Sequence, residues 1–335
     1  MRSVAFVAFA ALAALVAAPA SAGDYPWQPT KPITIIVPWA AGGSTDQVTR
    51  VLAGELELAL GQKVVVINQS GASGSIGKRN VWRAPHDGYT WAAGAPKMLG
   101  TYKLVGLFDT AIEDWLLYLD AVTPTLIGVN PDTPYQTMGE LLDAMRARPG
   151  QVSVATAGVG SSGHTTIEAI TQAMGLTYKN VSYDGGNPAV IATVAGETEV
   201  TTQLSTEQIE MARAGRLRIL AVVADRPIEM VGLGVLPPIT DWTGPIPNTL
   251  THFGMFAPAD LPAEVIRTFD MIWEERISSS QALNDYAEDR GTVFMAAFGD
   301  AAQEAVAPTV RADAWTLHAA GRTVMSPEEL GIPKP

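Results

Sequence analysis

The chain has 335 residues, no cysteine, and 22 basic against 34 acidic side chains, a formal net charge of −12 at neutral pH. Without cysteine there are no disulfides, no thiol nucleophile and no cysteine-ligated metal or cluster. So acidic a surface repels polyanions and argues against a nucleic-acid partner, but it leaves room for a small anion held by backbone dipoles inside a cleft.

Arg2 precedes an apolar run from Val4 to Ala18, followed by Pro19 and the small-residue end Ala20-Ser21-Ala22. A basic start, a short apolar stretch and an A-x-A end are the pattern of an export leader. The run is shorter than the roughly 20 apolar residues needed to span a bilayer, so residues 1–22 are predicted to be a signal peptide cut near Ala22. The mature chain then starts at Gly23, loses one basic side chain and carries −13. Its remaining length is enough for two lobes.

Ile33–Val37 is a β-branched apolar run closed by Pro38 and followed by the turn Ala40-Ala41-Gly42-Gly43-Ser44-Thr45-Asp46. It reads as strand, loop, helix. Apolar residues at 48, 51, 52, 56 and 59 have helical spacing, with Ser44 and Gln47 as a capping box and Gly61 as the stop. Val64–Ile67 is a second strand, and the right-handed crossover rule makes the pair parallel. Further strands are predicted at 90–93, 126–129, 152–155, 181–183 and 217–223, with a helix over 138–148. Residues 253–257 form another apolar run, beyond which helical patterning is expected to dominate to about Gly321. The fold class is α/β.

Two more Gly-rich turns follow strands: Gly158-Val159-Gly160-Ser161-Ser162-Gly163-His164, and Asp184-Gly185-Gly186-Asn187-Pro188, where Asn187 is placed to cap a helix with Pro188 at its first position. Such turns aim free backbone N–H groups and a helix dipole at an anion, and in open α/β sheets they lie where ligands bind. Three of them point to a ligand cleft. The middle turn also matches G-x-G-x-x-G, but its mid-chain place and the export leader argue against a dinucleotide. No Walker loop and no nucleophile elbow is present. The four histidines, at 86, 164, 252 and 318, lack the spacing of a zinc helix, so neither metal nor cofactor is expected. Three polar residues carry two readings each. His164 opens a helix and either donates to a ligand or bonds its own loop. Asp46 either favours the dipole of its helix or meets a ligand amine. Lys97 either pairs with a ligand carboxylate or is a solvated surface group. Trp39 walls the cleft or packs in the core.

Lys31-Pro32-Ile33, the run Val37 to Asp46, Gly61-Gln62-Lys63-Val64-Val65-Val66, Gly71 to Gly77 and Asp87-Gly88-Tyr89-Thr90 resemble the extracytoplasmic solute receptors of tripartite tricarboxylate transporters, the Bug/TctC family. Gly158 to His164, Tyr183 to Ala189 and Ala214 to Val222 resemble later motifs of that family in the same order. The resemblance implies a periplasmic binding protein, type II-like, with two lobes. Each lobe would be a mostly parallel sheet flanked by helices, with residues 23–125 plus 251–335 in the first and 126–250 in the second. It implies a monomer closing on a small carboxylate and passing it to membrane permease subunits. It places Trp39, Ala41, Gly43, Ser44, Thr45 and Asp46 of the first lobe, and Gly158, Ser161, Ser162, His164, Tyr183, Gly186 and Asn187 of the second, around the ligand. Two departures are Trp39 for the usual phenylalanine, and Gln203-Leu204-Ser205 where many members carry an acidic residue. Gln203 and Ser205 therefore join the candidate set, and Lys97, if it faces the cleft, favours a second carboxylate and so a dicarboxylate ligand. Hinges are expected near 122–128 and 248–254, and no chemistry is expected. The alternatives are an exported serine hydrolase built on Ser161 or Ser162 with His164, which needs a base and an orienting acid in reach, or a ligand sensor feeding a membrane kinase.

Overall fold

Thirteen strands and ten helices are assigned among residues 23–247 and 250–335, the part of the chain that the computed structural model describes. The predicted leader, residues 1–22, lies outside the described residues, as do Asn248 and Thr249 of the second predicted hinge segment. The strands are β1 (Ile33–Val37), β2 (Val64–Asn68), β3 (Thr90–Gly94), β4 (Trp115–Thr123), β5 (Leu126–Val129), β6 (Ser153–Thr156), β7 (Lys179–Ser182), β8 (Val200–Thr201), β9 (Arg218–Val222), β10 (Ile228–Met230), β11 (Gly234–Leu236), β12 (Thr251–Pro258) and β13 (Val293–Phe298). The helices are α1 (Ser44–Leu60), α2 (Ser75–Arg83), α3 (Met138–Ala147), α4 (Ser162–Met174), α5 (Gly186–Val194), α6 (Ser205–Arg213), α7 (Thr240–Thr243), α8 (Ala263–Glu275), α9 (Gln281–Arg290) and α10 (Gly299–Ala319).

Two sheets organise the molecule. The first has strand order β13-β4-β12-β3-β1-β2 and the second β7-β6-β8-β5-β9, with β10-β11 as a separate hairpin. The β-branched strands β1 and β2 pair in parallel, Ile33 against Val64 through Val37 against Asn68, as the strand-helix-strand reading requires. Both sheets are mixed, however, where mostly parallel ones were expected. The chain leaves the first sheet along β4 and returns along β12, with Thr123 opposite Thr251, so the two strands on either side of the excursion run antiparallel. In the second sheet β5 pairs antiparallel with both β8 and β9, while β6 is parallel to β7 and β8.

Each sheet has its own apolar core. Trp91, Tyr118, Phe269 and Trp273 fill the first, with ring centroids 4.3 Å apart for Trp91 and Phe269 and 4.9 Å for Tyr118 and Trp273. Such aromatic pairs add about 0.5–1.5 kcal/mol each beyond their burial. Val129, Leu141, Val154, Ile170 and Leu220 belong to the second. Strands of the first sheet come from residues 33–123 and 251–298, and those of the second from 126–222. Helix α10 reaches from one to the other: Gln172 of α4 donates its amide to the Thr316 carbonyl at 2.9 Å. The helical tail predicted beyond residue 257 is interrupted by β13, which pairs with β4.

Candidate functional site

The turn after β1 is trussed from behind before anything enters the cleft. Asp46 Oδ2 accepts the Gly42 N–H at 2.9 Å, and its Oδ1 accepts from Arg50 Nη2 at 2.8 Å and Asn68 Nδ2 at 3.0 Å. Burial opposes the charge on Asp46, but these donors outweigh it and hold its carboxyl below the ordinary aspartate range. Asn68 also donates to the Trp39 carbonyl at 3.1 Å. The outcome is a fixed loop whose far side, Gly43, Ser44 and Thr45, faces the second sheet.

Helix α1 has Gly43 as its N-cap with no side-chain cap, so the predicted Ser44–Gln47 capping box does not form. A glutamate from the other lobe does that work. Glu207 Oε1 accepts the Ser44 N–H at 3.1 Å, and Glu207 Oε2 accepts the N–H of Leu204, at the start of its own helix α6, at 3.3 Å. Ser44 Oγ also meets Thr206 Oγ1 in a short contact. Gly186 opens α5 directly beneath this carboxylate, where an added Cβ would lie 2.1 Å from its oxygens. Gly186 is thus required by close approach and not only by the turn. With Asn187 inside α5 and Gly185 as N-cap, the predicted Asn187 cap is not the one used. Confinement between the lobes pushes the Glu207 carboxyl above its ordinary value, against the pull of the Ser44 and Leu204 amides and the Ser44 hydroxyl.

On the opposite wall Ser161 caps α4, accepting the His164 N–H at 3.4 Å, and Thr251 donates its hydroxyl to Ser162 Oγ at 2.7 Å. The cavity between these walls has a volume of about 40 Å³ and is lined by Trp39, Gly43, Ser44, Thr45, Ala95, Met98, Ala157, Ser161, Ser162, Gly186, Gln203, Leu204, Glu207 and Phe253. That is room for about three waters, at roughly 10–15 Å³ each. The lobes also touch beside it, where Ala40 N donates to the Asp184 carbonyl at 3.1 Å.

Eight of the predicted residues therefore meet at one cavity: Trp39, Gly43, Ser44, Thr45, Ser161, Ser162, Gly186 and Gln203. The other eight do not line it. Asp46 is committed to its own loop, as described, because Arg50 and Asn68 draw it away from the cleft. Lys97 is buried with Nζ 2.7 Å from Asp313 Oδ2 of α10, so it is neither a ligand's partner nor a surface lysine. His164 is fully buried, and burial, with Arg322 nearby, lowers its pKa to about 4. It is neutral, and its Nδ1 lies 3.5 Å from the Gly160 N–H, not against a serine hydroxyl. Ser205 donates to the Gly291 carbonyl at 2.8 Å, and the Tyr183 phenol turns to Glu197 Oε2 at 3.4 Å. Ala41 is exposed at the mouth, Asn187 packs over Gly42, and Gly158 faces Ser73 across the lobe boundary.

The description "tripartite tricarboxylate transporter family receptor" matches residues 48–295, well over half the chain. The chain belongs to this receptor family. BugT of Bordetella pertussis is 29% identical over 284 residues, 83% of this chain and 85% of BugT. The receptor shares its fold with the periplasmic binding protein BugD, at 24% identity and a TM-score of 0.80 over 88% of this chain and 99% of that one. A protein of R. palustris solved with adipate is 26% identical, with a TM-score of 0.76 over 88% of this chain and 98% of that one. Members of this family are solute-binding receptors and not enzymes. A two-lobed α/β binding protein, as read from the sequence, is the architecture found.

Reading the sequence missed Ala95, Met98, Ala157, Leu204, Phe253 and, above all, Glu207 as parts of the receptor's cleft. A signal for Glu207 existed. Ser205-Thr206-Glu207 begins a helix straight after a strand, as the three Gly-rich turns do, but β8 is only two residues long and no glycine marks its end.

Proposed function

We propose that the receptor is exported behind the leader 1–22, binds a small organic acid in the periplasm, and delivers it to the permease subunits of a tripartite tricarboxylate-type transporter. Lobes divided at 125/126 and 250/251 would close by bending near 122–128 and 248–254, a population shift toward the state in which both walls contact the solute. The reading rests on one observation: hydroxyls and helix N-termini from both sheets converge on one cleft. Carboxylate chemistry is supported by that donor set and by the adipate-bound relative of similar fold. The expectation of a dicarboxylate leaned on Lys97, whose ion pair with Asp313 removes that support. The receptor is proposed to act as a monomer.

The test is a thermal-shift screen of the ligand-stripped protein against organic acids. A solute at 100 times its Kd adds about 2.7 kcal/mol and raises the melting temperature by a few degrees. Ser44→Asp places a second carboxylate beside Glu207 and is expected to abolish the shift while leaving the far-UV circular dichroism unchanged; a Ser44→Asp variant that binds normally would remove the α1 loop from the site.

A further inference from the structure

The strongest anion-holding position in the cleft is already filled by the protein itself. Glu207 takes the Ser44 N–H from α1 and the Leu204 N–H from α6, and Ser44 contributes its hydroxyl as well. With its amide turned to satisfy both neighbours, Gln203 adds a fourth donor to Glu207 Oε2 at 3.3 Å while accepting from Ala157 N at 3.2 Å. The bare face of Gly186 makes the space for this carboxylate. These are groups that would otherwise receive a carboxylate from a solute.

No cation in the cavity lining offsets this charge. Among the described residues that line it, Glu207 is the only ionisable one. Lys97 is paired with Asp313, and His164 and His252 are held neutral by burial. A solute with two negative charges would meet a fixed carboxylate at short range, in a site of low dielectric and without a compensating cation. A solute with one carboxylate can use the hydroxyls of Thr45, Ser161 and Ser162 on the remaining walls, and a donor on that solute would find Glu207 as its acceptor.

We infer that Glu207 sets the charge class of the solute: it stands in for one ligand carboxylate, excludes dicarboxylates, and selects a small monocarboxylate that brings a hydrogen-bond donor, an ammonium group above all. This inference rests on the organic-acid reading of the same cleft and narrows it. Glu207 acts here as a contact residue and not through another group.

Isothermal titration of the protein recovered from the periplasm of an expression host, stripped of bound solute, tests it with matched probes: alanine against propionate, and succinate, malate and adipate as diacids. Wild type is expected to bind alanine at least tenfold more tightly than propionate and more tightly than each diacid. Glu207→Gln keeps the shape and one acceptor but removes the charge. It is expected to lose most of the alanine preference and to gain tenfold or more for a diacid. Glu207→Ser, which empties the position, is the second variant should the glutamine protein not fold, with the same gain for diacids expected. A wild type that prefers a diacid, or variants that keep the wild-type order of probes, would overturn the inference and leave the organic-acid receptor standing. No binding of any probe to folded wild type would overturn the organic-acid reading itself, and this inference with it.

Discussion

Asp120 shows how a single side chain can cost stability where nothing in the binding role demands it. It sits on β4, where the pairing with both β12 and β13 slips by a register, so that no partner residue is opposite it. The carboxyl is 1% exposed, and its Oδ1 has no hydrogen-bond partner among the described residues. Burial lifts its pKa to about 7. A carboxyl raised in this way favours the folded state while it is protonated, below the unfolded value near 4, and that contribution is lost as pH rises through about 7. Wild type is therefore expected to lose stability between pH 4 and pH 7 on this account, by a few kcal/mol at about 1.4 kcal/mol per pH unit crossed. Asp120→Asn should match wild type near pH 4 and exceed it at pH 7.5 in urea midpoint. An unchanged difference across that range would mean the carboxyl is solvated in solution. Lys97 teaches the complementary lesson. A lysine after a strand end looks free in the sequence, but the acid that claims it, Asp313, is more than 200 positions away on α10.

At the scale of elements, the turns after β1, β6 and β7 were legible because glycine, serine and threonine at the end of a β-branched run have few other uses in an α/β chain. The parallel β1–β2 pair and the stop of α1 at Gly61, with φ 62°, follow from the same local rules. The strands β4 and β13 were not read. Trp115–Thr123 and Val293–Phe298 are apolar but lack clean alternation, because β4 is buried on both faces and β13 carries the helix-favouring Met295, Ala296 and Ala297. The seating of α4 against the second sheet depends on Gly163, whose added Cβ would lie 2.3 Å from the Thr202 carbonyl and 2.6 Å from the Gln203 amide. Gly163→Ala is expected to cost about 1–3 kcal/mol as an overpacked contact and to displace Ser161 and Ser162 from the cavity. Urea unfolding should show the loss, and weakened solute binding should accompany it beyond what the stability loss explains; full affinity in a destabilised variant would separate α4 from the site.

For the whole molecule, the decisive fact is that one chain passes between two sheets and each contributes a wall of the same cavity. Three contacts join the two sides: Ser44 with Glu207, Ala40 with Asp184 and Thr251 with Ser162. On the proposed hinge closure, opening breaks them, and solute binding restores them with added contacts of its own. Small-angle scattering of the stripped protein is accordingly expected to give a larger radius of gyration than the solute-saturated protein. Equal radii would mean that the free receptor is already closed, and that the solute enters by a route other than lobe separation.

The amino-acid sequence by itself determined the α/β class, the family, the glycine-marked turns and eight of the fourteen residues around the cavity. Those properties are written in short-range pattern: β-branched runs, helical spacing and turn chemistry act over a few residues and need no partner. Tertiary structure alone decided what each charged group does. It sent Lys97 to Asp313, folded Asp46 back on its own loop, left His164 neutral, and brought Glu207 across the cleft to cap α1. The charge of a buried group is settled by whichever donor, acceptor or ion the fold brings within a few ångströms, and those neighbours come from any distance along the chain.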